Sequence, residues 1–254
     1  MGFTRDSIVR RLPAILDETL RGVPADVAAG AAAGAAALKE EIASGTLAAG
    51  RLPRQPAGHS GWDGEYLAAA TGATWLQAPW WLVENYFYRR LLAFAATETH
   101  PDPFARPKAA AAASGLAPFC TTVLPLCSSS SGPSPDSNTL RHLCLRSLWG
   151  NRADLSLSSG RVVGVPSLDA VATDKLLIDG IDAALAALAA APSSAPVVIV
   201  LDNCGLELLC DLALADALLS AGRTVVLHAK VRVDGIWLCG AFAGRCTRRP
   251  PPPT

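Results

Sequence analysis

The sequence has no excess of charge of either sign, because 22 Lys and Arg side chains balance 22 Asp and Glu side chains in 254 residues. Binding to nucleic acid or to an anionic membrane surface relies on a basic field, so neither partner is expected. No apolar run approaches the roughly 20 residues that a membrane-spanning helix needs. The N-terminus lacks the apolar block and cleavage site of a secretory signal, so we expect an intracellular, cytoplasmic protein.

Paired cysteines are also missing. The chain has seven cysteines, an odd number, and no two of them form a C-x-x-C pair. This spacing argues against a zinc ribbon and against a disulfide framework. We therefore interpret most of the cysteines as small core residues or surface thiols.

What the sequence does have is enough apolar residues, half of the chain, for a sizeable core. Helical periodicity predicts a helical N-terminal region over residues 1–96. Residues 97–138 are rich in Pro, Ala and Ser, which favours a low-complexity loop or insertion. Residues 139–230 begin an α/β domain, and residues 231–254 form a tail with a basic, proline-rich end.

The α/β pattern is clearest in two apolar segments that flank a helix. "PVVIVLDN" holds five consecutive β-branched or leucine residues at 197–201, which indicates a strand buried on both faces. "GLELLCDLALADALLSAG" predicts a helix closed by Gly222, and "RTVVLHAK" predicts a second strand. Strand, helix and strand in this order form a βαβ unit, whose strands are parallel.

Asp202 and Asn203 follow the first of these strands directly. Open parallel sheets bind ligands beyond the carboxyl ends of their strands, and a carboxylate beside an amide oxygen suits a hard divalent cation. The ordinary alternative is that Asp202 caps the helix and that Asn203 or Gly205 shapes the turn. Glu207 is either a base near the site or a favourable charge at the helix start.

Two further acids follow on the same helix, and their spacing separates them. Asp211 lies four residues after Glu207 and is expected on the same helix face, whereas Asp216 is expected in solvent.

Four segments, in order over residues 5–230, carry a family resemblance. "VIVLDNCGLELLCDLALADALL" resembles the signature of the damage-control phosphatase family (domain of unknown function 89), in its branch of sugar-phosphate phosphatases and acidic-residue-methyltransferase-like proteins. "APWWLVENYFYRRLL", "SLWGNRADLSLSSG" and "SIVRRLPAIL" resemble three other motifs of that branch. The resemblance implies an α/β fold in which the helical N-terminal region packs on an incomplete Rossmann-like parallel sheet, with a metal between the two parts.

The resemblance also implies roles for individual residues. It places metal ligands on Asp202 and Asn203 and adds Glu207 as a catalytic residue, and it implies substrate binding by Asn151 and Asp154. Taken without the resemblance, the last two residues would be a turn and a helix cap.

The helix after Pro79 carries Glu84 and the Arg89–Arg90 pair, for which an ion-pair scaffold is the first interpretation and substrate contact the alternative.

The implied activity is metal-dependent hydrolysis of small sugar phosphate monoesters such as fructose 1-phosphate and fructose 6-phosphate. The implied metal is Mn²⁺ or Ni²⁺, with Co²⁺ or Mg²⁺ as further candidates. One alternative is S-adenosylmethionine-dependent methylation of protein carboxylates, although the sequence has no G-x-G-x-G loop after a strand. Another is a non-catalytic remnant that binds metal or a partner.

The resemblance stops at Lys230, before the aspartate that completes the family's metal set. Asp234 is near the expected place, but in a different sequence context. We therefore expect a truncated or divergent domain that is marginally stable and inactive if the missing part is essential. The segment "VVLHA" would then be an exposed apolar sheet edge that promotes self-association.

Overall fold

The computed structural model describes residues 2–45, 72–97, 100, 102–128, 134–150, 176–229 and 244–246. These residues belong to two compact units, one that ends at Pro107 and one that begins at Lys108. Helices dominate both units, and a parallel pair of strands in the second confirms the predicted α/β class. Within the described ranges, no helix combines the length and the apolar composition that crossing a bilayer requires.

The first unit is helical, as its periodicity predicts. Proline is tolerated at the start of a helix but not in its interior, and Pro79 accordingly is the N-cap residue of α4 (Trp80–Ala95). Gly45, at φ +84°, closes α3 (Ala25–Ser44) in the left-handed conformation that glycine adopts without strain. The elements are α1 (Phe3–Asp6), a π-helical turn (Ser7–Arg11), α2 (Leu12–Leu20), α3 (Ala25–Ser44) and α4 (Trp80–Ala95).

A buried ion pair joins α3 to α4 inside this unit. Glu41 accepts hydrogen bonds from the Tyr86 hydroxyl and from Nη1 of Arg90, each at 2.6 Å. Burial, and then the bond to Glu41, raise the pKa of Tyr86. Glu84 pairs with Arg11 at 3.4 Å. These contacts support the scaffold interpretation of the α4 motif.

The second unit contains the sheet. Its elements are α5 (Ala105–Thr122, mostly in this unit), α6 (Leu124–Ser128), α7 (Ser137–Gly150), α8 (Ile181–Ala190), β1 (Pro196–Leu201), α9 (Leu206–Ser220), β2 (Thr224–Ala229) and β3 (Gly244–Cys246). The interpretation of residues 97–138 as a loop is wrong over α5 and α6. Alanine is the best helix former, so an alanine-rich segment needs no apolar stripe to be helical.

The three strands lie in the order β1-β2-β3. β1 and β2 are parallel, with Pro196 opposite Thr224 and Leu201 opposite Ala229, as the βαβ pattern predicts. β3 pairs antiparallel with β2 along residues 225–227. The expectation that β2 is an unpaired edge is therefore wrong over those residues, and self-association stays a prediction.

One face of the parallel pair is buried and the other is exposed. Alternate residues of both strands pack with α9 in a cluster centred on Leu201, Val225 and Leu227. On the opposite face, Val198 and Val200 are 49% and 70% exposed. The prediction that β1 is buried on both faces is wrong. The residues on its outer face are apolar, but they are exposed to solvent.

Candidate functional site

The turn between β1 and α9 consists of residues 202–205. Gly205 has φ +85° and ψ −138°, a conformation that side chains with a Cβ rarely adopt. A Cβ there would also lie 3.1 Å from the carbonyl oxygen of Ala111 on α5. Gly205 is the N-cap residue of α9. The alternative that Asp202 is the N-cap is therefore wrong.

Asn203 and Glu207 are joined across the start of α9 by a buried hydrogen bond. Nδ2 of Asn203 donates to Oε2 of Glu207 at 2.8 Å, and the two residues are only 5% and 8% exposed. A buried hydrogen bond of this kind holds the amide group in one orientation. The carbonyl oxygen of Asn203 is the opposite arm of the same planar group, so its direction is fixed as well.

Asp202 is exposed at the carboxyl end of β1, where the sheet position predicts a ligand. The turn thus presents one exposed carboxyl group beside one buried and oriented amide. In the part of the chain that the structure describes, no group of three or more His, Cys, Asp or Glu residues could hold a metal ion. By their chemistry, the carboxyl group of Asp202 and the carbonyl oxygen of Asn203 are two oxygen ligands of the kind that a hard divalent cation takes, and such a partial set leaves the other positions to water or substrate.

Two helices approach the start of α9 closely enough to exclude a side chain. A Cβ on Gly115 of α5 would lie 2.8 Å from the backbone nitrogen of Leu206. A Cβ on Gly150 of α7 would lie 2.8 Å from Cα of Glu207. The first turn of α9 therefore contacts the backbone of both helices, which restricts where Glu207 can lie.

The two predicted substrate-binding residues, Asn151 and Asp154, lie outside the described residues, as does Asp234. Gly150 is the last described residue before Asn151, and it packs against Glu207. Substrate binding by Asn151 and Asp154 stays a prediction.

The sequence did not predict a polar contact that joins α7 to α9. Oγ of Ser147 donates to Oδ1 of Asp211 at 2.5 Å. Burial raises the pKa of Asp211 to about 6, and the bond from Ser147 opposes part of that rise. Asp211 lies on the Glu207 side of α9 and Asp216 is exposed, as predicted. In the sequence, the three-residue spacing of Ser147 and Gly150 places both on one face of α7, and this spacing was the available sign that they share a contact surface.

Comparison with known proteins gives one family. The family model described as "Damage-control phosphatase ARMT1-like domain" matches residues 8–232. The chain is similar to damage-control phosphatase ARMT1 of Danio rerio, at 31% identity over 185 residues, which cover 62% of this chain and 40% of that protein. The proteins of the same name from Rattus norvegicus and Homo sapiens are each 32% identical, over 172 and 175 residues, which cover 61% of this chain and 39% of each relative.

The chain thus spans about two fifths of the length of the curated relatives that it matches. The family match nevertheless extends from the π-helical turn at Ser7–Arg11 through β2, and it includes the whole turn that carries Asp202 and Asn203. The chain therefore belongs to the damage-control phosphatase ARMT1-like domain family.

Proposed function

We propose that this chain is a metal-dependent phosphatase domain that hydrolyses small sugar phosphate monoesters, such as fructose 1-phosphate and fructose 6-phosphate. The observation that carries the proposal is the oriented Asn203 amide beside the exposed Asp202 at the carboxyl end of β1. Family membership adds the reaction class, because the curated relatives are named phosphatases.

The charges of the turn explain why a cation belongs to the proposal. The carboxyl groups of Asp202 and Glu207, when ionised, would repel a phosphate dianion at this end of the strand. The start of α9 contributes the equivalent of about half a positive charge, which is too little to offset both. When bound, a divalent cation such as Mn²⁺, Ni²⁺, Co²⁺ or Mg²⁺ would neutralise the phosphoryl oxygens and polarise the phosphorus.

The groups at this site then have separate roles. Asp202 and the carbonyl oxygen of Asn203 would hold the cation. Glu207 orients the Asn203 amide through the 2.8 Å bond. The first amides of α9, which have no acceptor within their own helix, favour negative charge at the same place.

The direct test is release of phosphate from fructose 1-phosphate, with Mn²⁺ or with a chelator. Asp202→Ala should lower kcat by at least about 100-fold, the loss expected when a group that stabilises transition-state charge is removed. Asp216→Ala is the matched control, because that carboxyl group is exposed on α9. We expect Asn151→Ala and Asp154→Ala to raise KM more than they lower kcat.

Two other outcomes would favour different functions. Binding of Mn²⁺ without phosphate release at any substrate concentration would support a non-catalytic domain that retains only metal binding. Transfer of a labelled methyl group from S-adenosylmethionine to protein carboxylates, with no phosphate release, would support the methyltransferase alternative. Release that persists in Asp202→Ala and in the presence of chelator would refute the proposed mechanism.

A further inference from the structure

Helices α7 and α9 touch in two successive layers near the site. In the first layer Gly150 packs against the backbone of Glu207, and in the second Ser147 donates its hydrogen bond to Asp211. The numbering rises along α7 as it falls along α9, so the two helices run antiparallel here. The layers are one helical turn apart, since three residues separate the contacts on α7 and four separate them on α9.

The second layer is polar, and it is partly buried. Asp211 is buried, and its carboxyl oxygen accepts from Ser147 at 2.5 Å. A hydrogen bond has a directional optimum that an apolar contact lacks, so this bond adds a preferred register to the apolar packing of Leu143 against α9. The Gly150 contact sets how closely the two backbones approach, and the hydrogen bond favours one position along them.

Glu207 links this helix contact to Asn203, the proposed cation ligand. Glu207 lies one turn before Asp211 on α9, and it accepts the hydrogen bond that orients the Asn203 amide. We propose that Asp211 is a positioning residue of the site: its bond with Ser147 sets the register of α7 against α9 and thereby holds Glu207 where it orients Asn203. The proposal deepens the proposed function and rests on it where Asn203 is taken to be a cation ligand.

The other titratable groups near Asp211 can be separated from it. Cys210 on α9 is influenced by Asp211, by Arg146 of α7, by Glu207 and by Cys127 of α6. Burial raises the pKa of Cys210 to about 12 and also raises that of Cys127, so neither thiol ionises between pH 5 and 8. An arginine stays protonated throughout that range. Glu207 accepts the Asn203 amide directly, so a step in this range is assigned to Asp211 by two criteria: it disappears in Asp211→Asn, and it moves to higher pH in Ser147→Ala.

The side-chain amide of Asn203 can report on this arrangement without any metal. The sequence contains four asparagines, at positions 85, 138, 151 and 203, so ¹⁵N-asparagine labelling gives few signals. The Asn203 pair is assigned by its loss in Asn203→Ser. We expect its proton shifts to change in a step near pH 6, where Asp211 loses its proton.

The variants give distinct expected results. Asp211→Asn should keep the folded spectrum and abolish the step. Ser147→Ala should move the step to higher pH, because the bond from Ser147 lowers the pKa of Asp211. Asp211→Ala should speed hydrogen exchange of the Asn203 amide and weaken Mn²⁺ binding about tenfold, the lower end of the loss that follows removal of a group that orients a metal ligand. Asp216→Asn, on the exposed side of α9, should change nothing.

An unchanged step in Asp211→Asn, or one unmoved by Ser147→Ala, would overturn the positioning role. Mn²⁺ titration of the same samples tests the proposed function separately. Asn203 signals that behave as expected in a chain that binds no Mn²⁺ would support the positioning role and refute the cation site. Mn²⁺ binding of normal affinity in Asp211→Ala would support the cation site and overturn the positioning role.

Discussion

Substitution of Gly150 by alanine tests the packing that defines the site. The added Cβ would lie 2.8 Å from Cα of Glu207, and 3.3 Å from its nitrogen and its Cβ. Carbon atoms are in contact at about 3.5–4.0 Å, so the backbones of α7 and α9 would have to separate by roughly 0.7–1.2 Å. Overpacking of this kind lowers the free energy of unfolding by about 1–3 kcal/mol. The higher helix propensity of alanine offsets less than about 1 kcal/mol of this loss.

We therefore expect Gly150→Ala to lower the free energy of unfolding by about 1–2 kcal/mol, measured by urea denaturation, and to lower Tm by roughly 2–8 °C. Because Glu207 would move with the backbone, phosphatase activity should fall by up to about 100-fold. The matched control is Gly30→Ala on α3, where nothing lies within 4 Å of the added atom. This control should gain about 0.5–1 kcal/mol. A gain of the same size in Gly150→Ala would refute the close contact.

Three further predictions concern burial and charge. Glu41→Gln should lower the free energy of unfolding, measured by urea denaturation, by about 3 kcal/mol, because it leaves Arg90 buried without its counter-charge. Glu40→Gln, at an exposed position, should change the free energy of unfolding by less than about 0.5 kcal/mol. Burial raises the pKa of Asp211, so its ionisation disfavours the folded state: relative to Asp211→Asn, the unsubstituted chain should lose about 2–3 kcal/mol of unfolding free energy between pH 4 and 7. Val200→Lys, on the exposed face of β1, should reduce self-association in sedimentation velocity at almost no cost in stability; an equal effect from Lys at the fully exposed Leu177 would refute a role for that face.

The sequence predicts the β1-turn-α9-β2 segment well because its signals are local. A run of β-branched residues forms β1, and Gly205 and Gly222 mark the two ends of α9 with positive φ angles. Motif similarity then identifies Asp202 and Asn203, which the structure places at the carboxyl end of the strand. The hydrogen bond from Asn203 to Glu207 follows from residues that are only four positions apart.

The incorrect and missed features depend on contacts between distant segments. An apolar residue on a strand has the same identity whether a helix covers it or not, so the exposure of Val200 has no signature in the sequence. The alanine-rich α5 lacks an apolar stripe, although its Gly115 is required where it meets the start of α9. Ser147 and Asp211 are 64 residues apart, and only the packing of α7 on α9 brings them together.

The two acids of α9 near the site each accept a hydrogen bond from a neutral donor. Glu207 accepts from the Asn203 amide, and Asp211 accepts from the Ser147 hydroxyl. A neutral donor satisfies a lone pair without cancelling a charge, so burial still raises the pKa of Asp211. A divalent cation at Asp202 and Asn203 would attract the carboxyl group of Glu207, which is bonded to the same amide, more strongly than that of Asp211, which lies one turn further along α9. The cation would thus hold in place the side chain that orients its own ligand, so metal binding and the order of the turn should reinforce each other.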